Sequence, residues 1–252
     1  MDVFAGAKER VVTGVALAVG ILLIGYVDNF FLMWLTLGAI YLLAFKEALK
    51  LFSIEDNDRL VIYAGVLWLI AAIYPYGDDL FVLAGVAYAS AVAFNKEVTW
   101  KNFLPFIYPT AGMLFIFTMY QEYGVYSLLW LLIVVAMTDV GAYAVGKSIG
   151  KTQFCETSPN KTMEGVVGGI VVATISGSFV GLGIVDFSVS FVISFMVAAS
   201  SIFGDLFESS LKRAADVKDS GDILPGHGGV LDRIDGYLFG AVVMLVLLRG
   251  LV

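Results

Sequence analysis

The residues best suited to chemistry lie late in the chain, at the end of an apolar segment. Polar side chains recur there every three or four residues, at Asp205, Glu208, Ser209, Lys212, Arg213 and Asp216. On a helix this spacing forms one polar face. A salt-bridged helix end emerging into water is the simpler interpretation. However, a carboxylate at a membrane helix end is costly unless it is paired, metal-bound or in a wet cavity.

A glycine-rich stretch of mixed charge follows, in Lys218–Asp222, Leu224–Gly229 and Asp232–Asp235. Glycines let the backbone turn tightly and present N–H groups to an anion. Lys and Arg bind phosphate oxygens, and Asp oxygens can hold Mg²⁺ against a substrate phosphate. This combination predicts a metal–nucleotide site, although it is neither a Walker loop nor a dinucleotide fingerprint. His227 alone is a weak signal, since a lone loop His usually has a structural role.

Two polar residues further upstream have two interpretations each. Asp139 shares a helical face with Tyr143 and Lys147, so it either faces a substrate or is paired locally on a packing helix. Lys161 lies in a turn, where it either contacts a phosphate or simply follows the excess of basic residues in cytoplasmic loops.

Composition indicates what kind of scaffold must position these residues. Of 252 residues, 60% are hydrophobic and 15% are charged, and the mean hydropathy is +0.90. Soluble domains are about 45–50% apolar and about 25% charged, so the excess apolar surface needs lipid. The net charge of −7 shows no basic surface for nucleic acid. The single cysteine, Cys155, excludes an intrachain disulfide and a Cys-based metal site.

The hydropathy pattern predicts an all-α integral membrane protein, a polytopic bundle of about nine transmembrane helices in one membrane domain, 1–252. Residues 1–125 are expected to be mainly scaffold, and 126–252 the catalytic half with the 209–235 motif. Strands are excluded because the apolar runs lack sustained alternation. The nine segments lie near Val11–Tyr26, Phe30–Phe45, Leu60–Tyr74, Leu80–Phe94, Phe103–Met119, Tyr126–Val145, Gly165–Ile184, Phe187–Phe207 and Gly236–Val252.

Basic residues segregate between alternate connections of this predicted bundle. Fourteen of the 15 fall in one set of connections, and only Arg249 falls in the other. Because Lys and Arg collect on the cytoplasmic side, the N-terminus is expected inside the cell and the C-terminus outside. The two longest inside connections, Gly146–Glu164 and Ser209–Asp235, put the chemistry at the cytoplasmic face of a cell membrane.

Residues 209–235 contain SSLKR, KD and LPGHGGVLDRID in this order, and each of the two gaps between them is four residues long. This resembles the motif of the phosphatidate cytidylyltransferase (CDP-diacylglycerol synthase) family, S-x-L-K-R-x4-K-D-x-G-x2-L-P-x-H-G-G-x2-D-R-x-D, at every fixed position. Segments beginning at Asp139 and at Ser158 also resemble the family, so the likeness covers roughly the C-terminal half.

The resemblance implies that phosphatidic acid attacks the α-phosphorus of CTP, giving CDP-diacylglycerol and pyrophosphate. It implies Mg²⁺ or another divalent cation, with Asp205 and Asp232 as metal ligands and room for a second cation. The other residues with an implied catalytic role are Lys212, Arg213, Lys218, Asp219 and Arg233. Those with an implied substrate-binding role are Lys161, Ser209, His227, Gly228, Gly229 and Asp139.

Two alternatives stay open at this point. One is a related cytidylyltransferase acting on an isoprenoid or archaeal lipid phosphate, because undistinguished apolar side chains would bind either lipid. The other is an ion or solute transporter, which would place polar residues near the membrane midplane; here they cluster at one face instead. The sequence leaves the oligomeric state open, with a homodimer among the states it allows.

Overall fold

The computed structural model describes residues 3–55, 58–226 and 228–252, with side chains from Val12 onward. Within these ranges the chain is helical and has no strand, only isolated bridges that join Gln153 to Thr162 and Leu224 to Gly228. This confirms the all-α prediction. The α-helices are α1 (Val3–Val27), α2 (Phe30–Leu51), α3 (Asp58–Ala71), α4 (Asp79–Phe94), α5 (Ala111–Tyr123), α6 (Val125–Ile149), α7 (Met163–Gly181), α8 (Phe187–Ala214) and α9 (Leu231–Leu251).

Six helical stretches among the described residues are long and apolar enough to cross a membrane. Eight of the nine predicted apolar segments overlap one α-helix each, whereas Phe103–Met119 begins in a kinked stretch, with non-helical backbone at Tyr108, before α5. Helix α3 has only 14 residues and α4 only 16. At 1.5 Å per residue, α3 covers about 21 Å of a hydrocarbon layer about 30 Å thick. The six stretches are Phe30–Leu51, Trp100–Tyr123, Val125–Ile149, Met163–Gly181, Phe187–Ala214 and Leu231–Leu251.

One compact unit combines the chain up to Phe117 with the segment Ala214–Ile234. Aromatic rings fill its interior: the Tyr41 and Trp68 ring centroids are 5.4 Å apart, and those of Trp68 and Phe117 are 5.1 Å apart. The Tyr41 hydroxyl hydrogen-bonds to that of Thr110 at 2.9 Å. These contacts hold α2 firmly in the unit, and the central part of the predicted motif belongs with this N-terminal half of the chain.

The second compact unit combines Thr118–Arg213 with Asp235–Val252. Its helices α6 and α7 approach closely through glycines. A Cβ added at Gly169 would lie 2.5 Å from the Thr138 carbonyl oxygen, and one at Gly165 would lie 2.8 Å from that of Ala142. Small residues at a helix interface permit such backbone approach, so Gly165 and Gly169 allow these two helices to pack closely.

The predicted connection Ser209–Asp235 is shorter than expected, because the flanking helices extend into it. Helix α8 continues to Ala214, and α9 already begins at Leu231. We call the intervening residues 215–230 the motif loop. Asp216 has a φ of +54°, so the backbone has already left the helix there. Asp216 is therefore not part of the polar face of α8 on which the spacing placed it.

Candidate active site

Asp205 is the centre of a polar group in the second unit. Its carboxylate forms an ion pair with the Lys161 ammonium and accepts a hydrogen bond from the Ser209 hydroxyl at 3.2 Å. The side chains of Lys161 and Asp205 are 27% and 33% exposed, so both remain accessible. Lys161 is positioned by the start of α7, where the Thr162 hydroxyl caps the helix by accepting from the Gly165 amide. The structure thus brings Lys161 to two predicted site residues of α8 that are more than 40 positions away in the sequence.

Glu208 and Lys212 form a more deeply buried ion pair one turn further along α8. The Lys212 ammonium lies 3.2 Å from a Glu208 carboxylate oxygen, and the Glu208 side chain is fully buried. Glu208 also interacts with Asp235, whose charge is within reach of Asp205 and Asp139. The second unit therefore gathers acids from α6, α8 and α9. Sequence reasoning assigned neither Glu208 nor Asp235 to the site, although both lie within the polar pattern that it recognised.

Asp232, in the first turn of α9, closes the motif loop. One of its carboxylate oxygens accepts from the backbone amide of Gly229 at 2.7 Å and from that of Ser220 at 3.0 Å. Gly228 has a φ of +82°, a conformation that side chains disfavour. A Cβ there would also lie 2.8 Å from the Asp232 carboxylate. The Gly229 N–H therefore binds a carboxylate of the protein itself, whereas the sequence suggested that it would face a substrate anion.

Glu47 of α2 is a site residue that sequence reasoning missed. Its side chain is buried in the first unit, with a 2% exposed surface. Its carboxylate accepts hydrogen bonds from the Ser220 hydroxyl at 3.1 Å and from the amides of Val230 at 2.9 Å and Leu231 at 2.7 Å. The available signal was the single acidic residue of α2, next to Lys46, in a half of the chain that was interpreted as scaffold.

A cleft of about 430 Å³ opens at the motif loop. Two cations, Lys218 and Arg233, line it together with the acidic side chains of Asp219 and Asp222. Arg233 lies well beyond the other three in the sequence, and the folded chain brings all four to one cavity. The remaining lining residues are Gly221, Leu224, Gly226 and Gly228.

Two predicted site residues of the second unit are exposed on their helices. Arg213 is exposed in the last turn of α8, and Asp139 is exposed on α6. His227 lies outside the described residues.

The acidic side chains determine whether this chain can hold a divalent cation. Among the described residues, no three His, Cys, Asp or Glu side chains converge as a ready-made metal cage. Mg²⁺ commonly uses only one or two carboxylates and takes its other ligands from substrate phosphates and water. A carboxylate has about four acceptor sites, so Asp205 keeps sites beyond its contacts with Lys161 and Ser209. Asp205 and Asp232 belong to different units, and each by itself fits as one carboxylate ligand of a cation that is bound together with a phosphate substrate.

Apolar helices and a loop rich in cations and carboxylates define a membrane protein equipped to handle phosphate groups. The chain belongs to the cytidylyltransferase family, which it matches over residues 8–251. The match extends through the N-terminal half, where the motif resemblance was silent. Family membership, predicted from the motif, is confirmed.

Named relatives cover almost the same length. The chain is 45% identical to the phosphatidate cytidylyltransferase of Helicobacter pylori strain J99, over 96% of this chain and 91% of the relative. It is 32% identical to the Bacillus subtilis strain 168 enzyme of the same name, over 92% and 94% of the two chains. A third, from Thermotoga maritima, is 31% identical over 84% and 86%.

Proposed function

We propose that this protein is a phosphatidate cytidylyltransferase, which makes CDP-diacylglycerol and pyrophosphate from CTP and phosphatidic acid. The observation that carries the proposal is the 45% identity to a relative of that name over nearly the full length of both chains. The cleft at the motif loop is consistent with it, because Lys218 and Arg233 place two positive charges where a triphosphate could bind.

In the proposed reaction, a phosphate oxygen of phosphatidic acid forms a bond to the α-phosphorus of CTP. The bond from that phosphorus to the oxygen bridging to the β-phosphate breaks, and pyrophosphate leaves with the electron pair. Since the lipid phosphate is already ionised near neutral pH, positioning and charge stabilisation supply most of the catalysis. Lys218, Arg233, Lys212 and Arg213 neutralise the substrate charges, and Asp219, which lines the same cleft as Lys218 and Arg233, shares in the catalytic role.

The remaining predicted residues have proposed roles in substrate binding. Lys161 and Ser209, which contact Asp205, bind substrate phosphate, and Asp139 adds a polar contact on α6. Gly228 and Gly229 serve substrate binding through the shape of the loop. His227 stays a proposed phosphate contact or loop residue.

Asp205 and Asp232 are the proposed ligands of a divalent cation, with room for a second. A bound cation would supply positive charge beside the triphosphate. The ion pair of Asp205 with Lys161 shows that this carboxylate already attracts a cationic group.

We also propose the topology in which this site works. The whole chain acts as one membrane domain with nine crossings, in which α1, α3 and α4 add three crossings to the six stretches named above. The N-terminus and the motif loop lie on the cytoplasmic side of the cell membrane, and the C-terminus lies outside. The support is the segregation of 14 of the 15 basic residues.

The deciding experiment uses purified protein in detergent with labelled CTP, Mg²⁺ and one of two lipids, phosphatidic acid or an isoprenoid phosphate. Pyrophosphate release with phosphatidic acid, lost on chelation and restored by Mg²⁺, is the expected result. Turnover with the isoprenoid phosphate alone would instead favour a related lipid cytidylyltransferase. Absence of nucleotide transfer to either lipid would contradict the enzyme assignment and favour a transport role.

A further inference from the structure

The buried carboxylate of Glu47 holds both ends of the motif loop. Its Ser220 partner lies near the beginning of the loop, whereas Val230 is the last residue of the loop and Leu231 the first of α9. A buried carboxylate is costly unless hydrogen bonds compensate for its lost hydration. Here three donors from the loop and its junction with α9 provide these hydrogen bonds, so the carboxylate and the loop stabilise each other.

Ser220 links Glu47 to the predicted metal ligand Asp232. Its hydroxyl donates to Glu47 at 3.1 Å, while its backbone N–H donates to Asp232 at 3.0 Å. Ser220 is itself buried, with 5% of its surface exposed. A shift of the Glu47 carboxylate would therefore be transmitted through one residue to Asp232.

Two loop glycines leave the space that the carboxylate occupies. A Cβ added at Gly221 would lie 2.5 Å from one Glu47 carboxylate oxygen, and one added at Gly229 would lie 2.6 Å from the other. Both distances are below ordinary contact. These glycines are therefore explained by the close approach of Glu47 to the loop backbone.

The donors at the start of α9 bear on how the substrate is recognised. A helix N-terminus commonly binds an anion through its free N–H groups. Here Glu47 already accepts from the Val230 and Leu231 amides. Phosphate recognition at the cleft must then depend on the side chains of Lys218 and Arg233, which makes the position of those side chains decisive.

We propose that Glu47 is the positioning residue of the motif loop. By holding positions 220, 230 and 231, it sets where Lys218, Asp219 and Arg233 stand around the 430 Å³ cleft. The inference concerns CTP binding, and in that respect it rests on the proposed function. Glu47 does not line the cleft and acts only through the loop.

The test compares Glu47→Gln with wild type by hydrogen–deuterium exchange of the purified protein without substrates. Gln keeps the size of the side chain, but its NH₂ group must face one of the three donors. We expect amide exchange at least tenfold faster in peptides covering residues 217–231 and unchanged exchange in α6 and α7. Ser220→Ala, which removes one hydrogen bond and no charge, should change the same peptides less.

Kinetics separate positioning from a general loss of stability. With CTP and phosphatidic acid, Glu47→Gln should raise the KM for CTP at least fivefold. The KM of Glu47→Asp should lie between those of wild type and Glu47→Gln. The matched control is Glu122→Gln, the same chemical change in a carboxylate that pairs with Arg249; it should leave the KM for CTP unchanged.

Unchanged exchange at residues 217–231 in Glu47→Gln would overturn the proposal. So would a normal KM for CTP with activity lost only in proportion to a lower melting temperature. If wild type turns over no CTP, the proposed function fails, and the exchange data still decide whether Glu47 holds the loop.

Discussion

At the scale of single residues, carboxylates of this protein do two kinds of work. Glu47 accepts hydrogen bonds from groups of the loop and its junction with α9, while Asp232 closes the same loop and is also a proposed metal ligand. Asp205 pairs with a lysine and stays one-third exposed. A buried, fully engaged carboxylate is suited to structure, whereas an accessible one can also exchange partners during a reaction.

Asp232 is the residue at which these two roles can be separated by mutation. In Asp232→Asn, the amide oxygen can still accept from Ser220 and Gly229, but the negative charge is lost. We expect turnover to fall at least 100-fold, with a melting temperature close to that of wild type. Asp232→Ala loses the acceptor as well, which should also cost about 1–3 kcal/mol of stability because two buried amides lose their partner.

The measurement is pyrophosphate release at saturating Mg²⁺, together with gel filtration and thermal melting of each variant. Asp232→Asn activity within a few-fold of wild type would remove Asp232 from the metal site. If Asp232→Asn melts as low as Asp232→Ala, the hydrogen bonds depend on the negative charge. Asp232→Glu keeps that charge, and its activity then decides whether turnover depends on the charge.

At the scale of elements, the helix pair α6–α7 depends on glycine. Asp139 lies on α6, and Lys161 lies just before α7. The packing of the two helices therefore helps to set where those side chains lie. The close approach at Gly169, 2.5 Å from the Thr138 carbonyl oxygen to a hypothetical Cβ, leaves no room for a methyl group.

We therefore expect Gly169→Ala to destabilise the protein by about 1–3 kcal/mol through overpacking. The matched control is Gly65→Ala in α3, where no atom lies within 4 Å of the added Cβ; there the gain in helix propensity should leave stability equal or slightly higher. Thermal melting in detergent measures both. Equal melting temperatures for the two variants would contradict tight packing at Gly169.

At the scale of the whole molecule, the charge pattern predicts a direction in the membrane. Arg249 is the exception among the basic residues, and it forms a two-pronged ion pair with Glu122, at 3.0 Å and 2.5 Å. Paired in this way, its charge is largely neutralised, which explains why one arginine is tolerated in a set of connections that has no other basic residue.

We expect a reporter fused after Val252 that is active only in the cytoplasm to be silent. A second reporter that is active only outside the cell should give signal after Val252. At the N-terminus, the cytoplasmic reporter should give signal and the second reporter should be silent. A strong cytoplasmic signal after Val252 would contradict nine crossings, because an odd number of crossings puts the two termini on opposite sides.

The sequence alone determined the helical class, the apolar segments and the family motif, because these depend on composition and on residues close together in the chain. It could not determine helix ends: Ser209–Arg213 was assigned to a connection although α8 continues through it. Nor could it show that six helical stretches reach full membrane length while α3 does not, since the ends of apolar runs are set by tertiary packing as well as by hydropathy.

Only the tertiary structure decided which groups meet in the site. Lys161 and Asp205 are 44 positions apart, and Glu47 is 173 positions from Ser220 and 184 from Leu231. Local spacing carries no information about such pairs, because each contact exists only after separate helices have packed. For the same reason the motif loop was expected to offer its amides to a substrate. In the folded chain, Glu47 and Asp232 accept those hydrogen bonds first, since a buried N–H binds the nearest acceptor that packing provides.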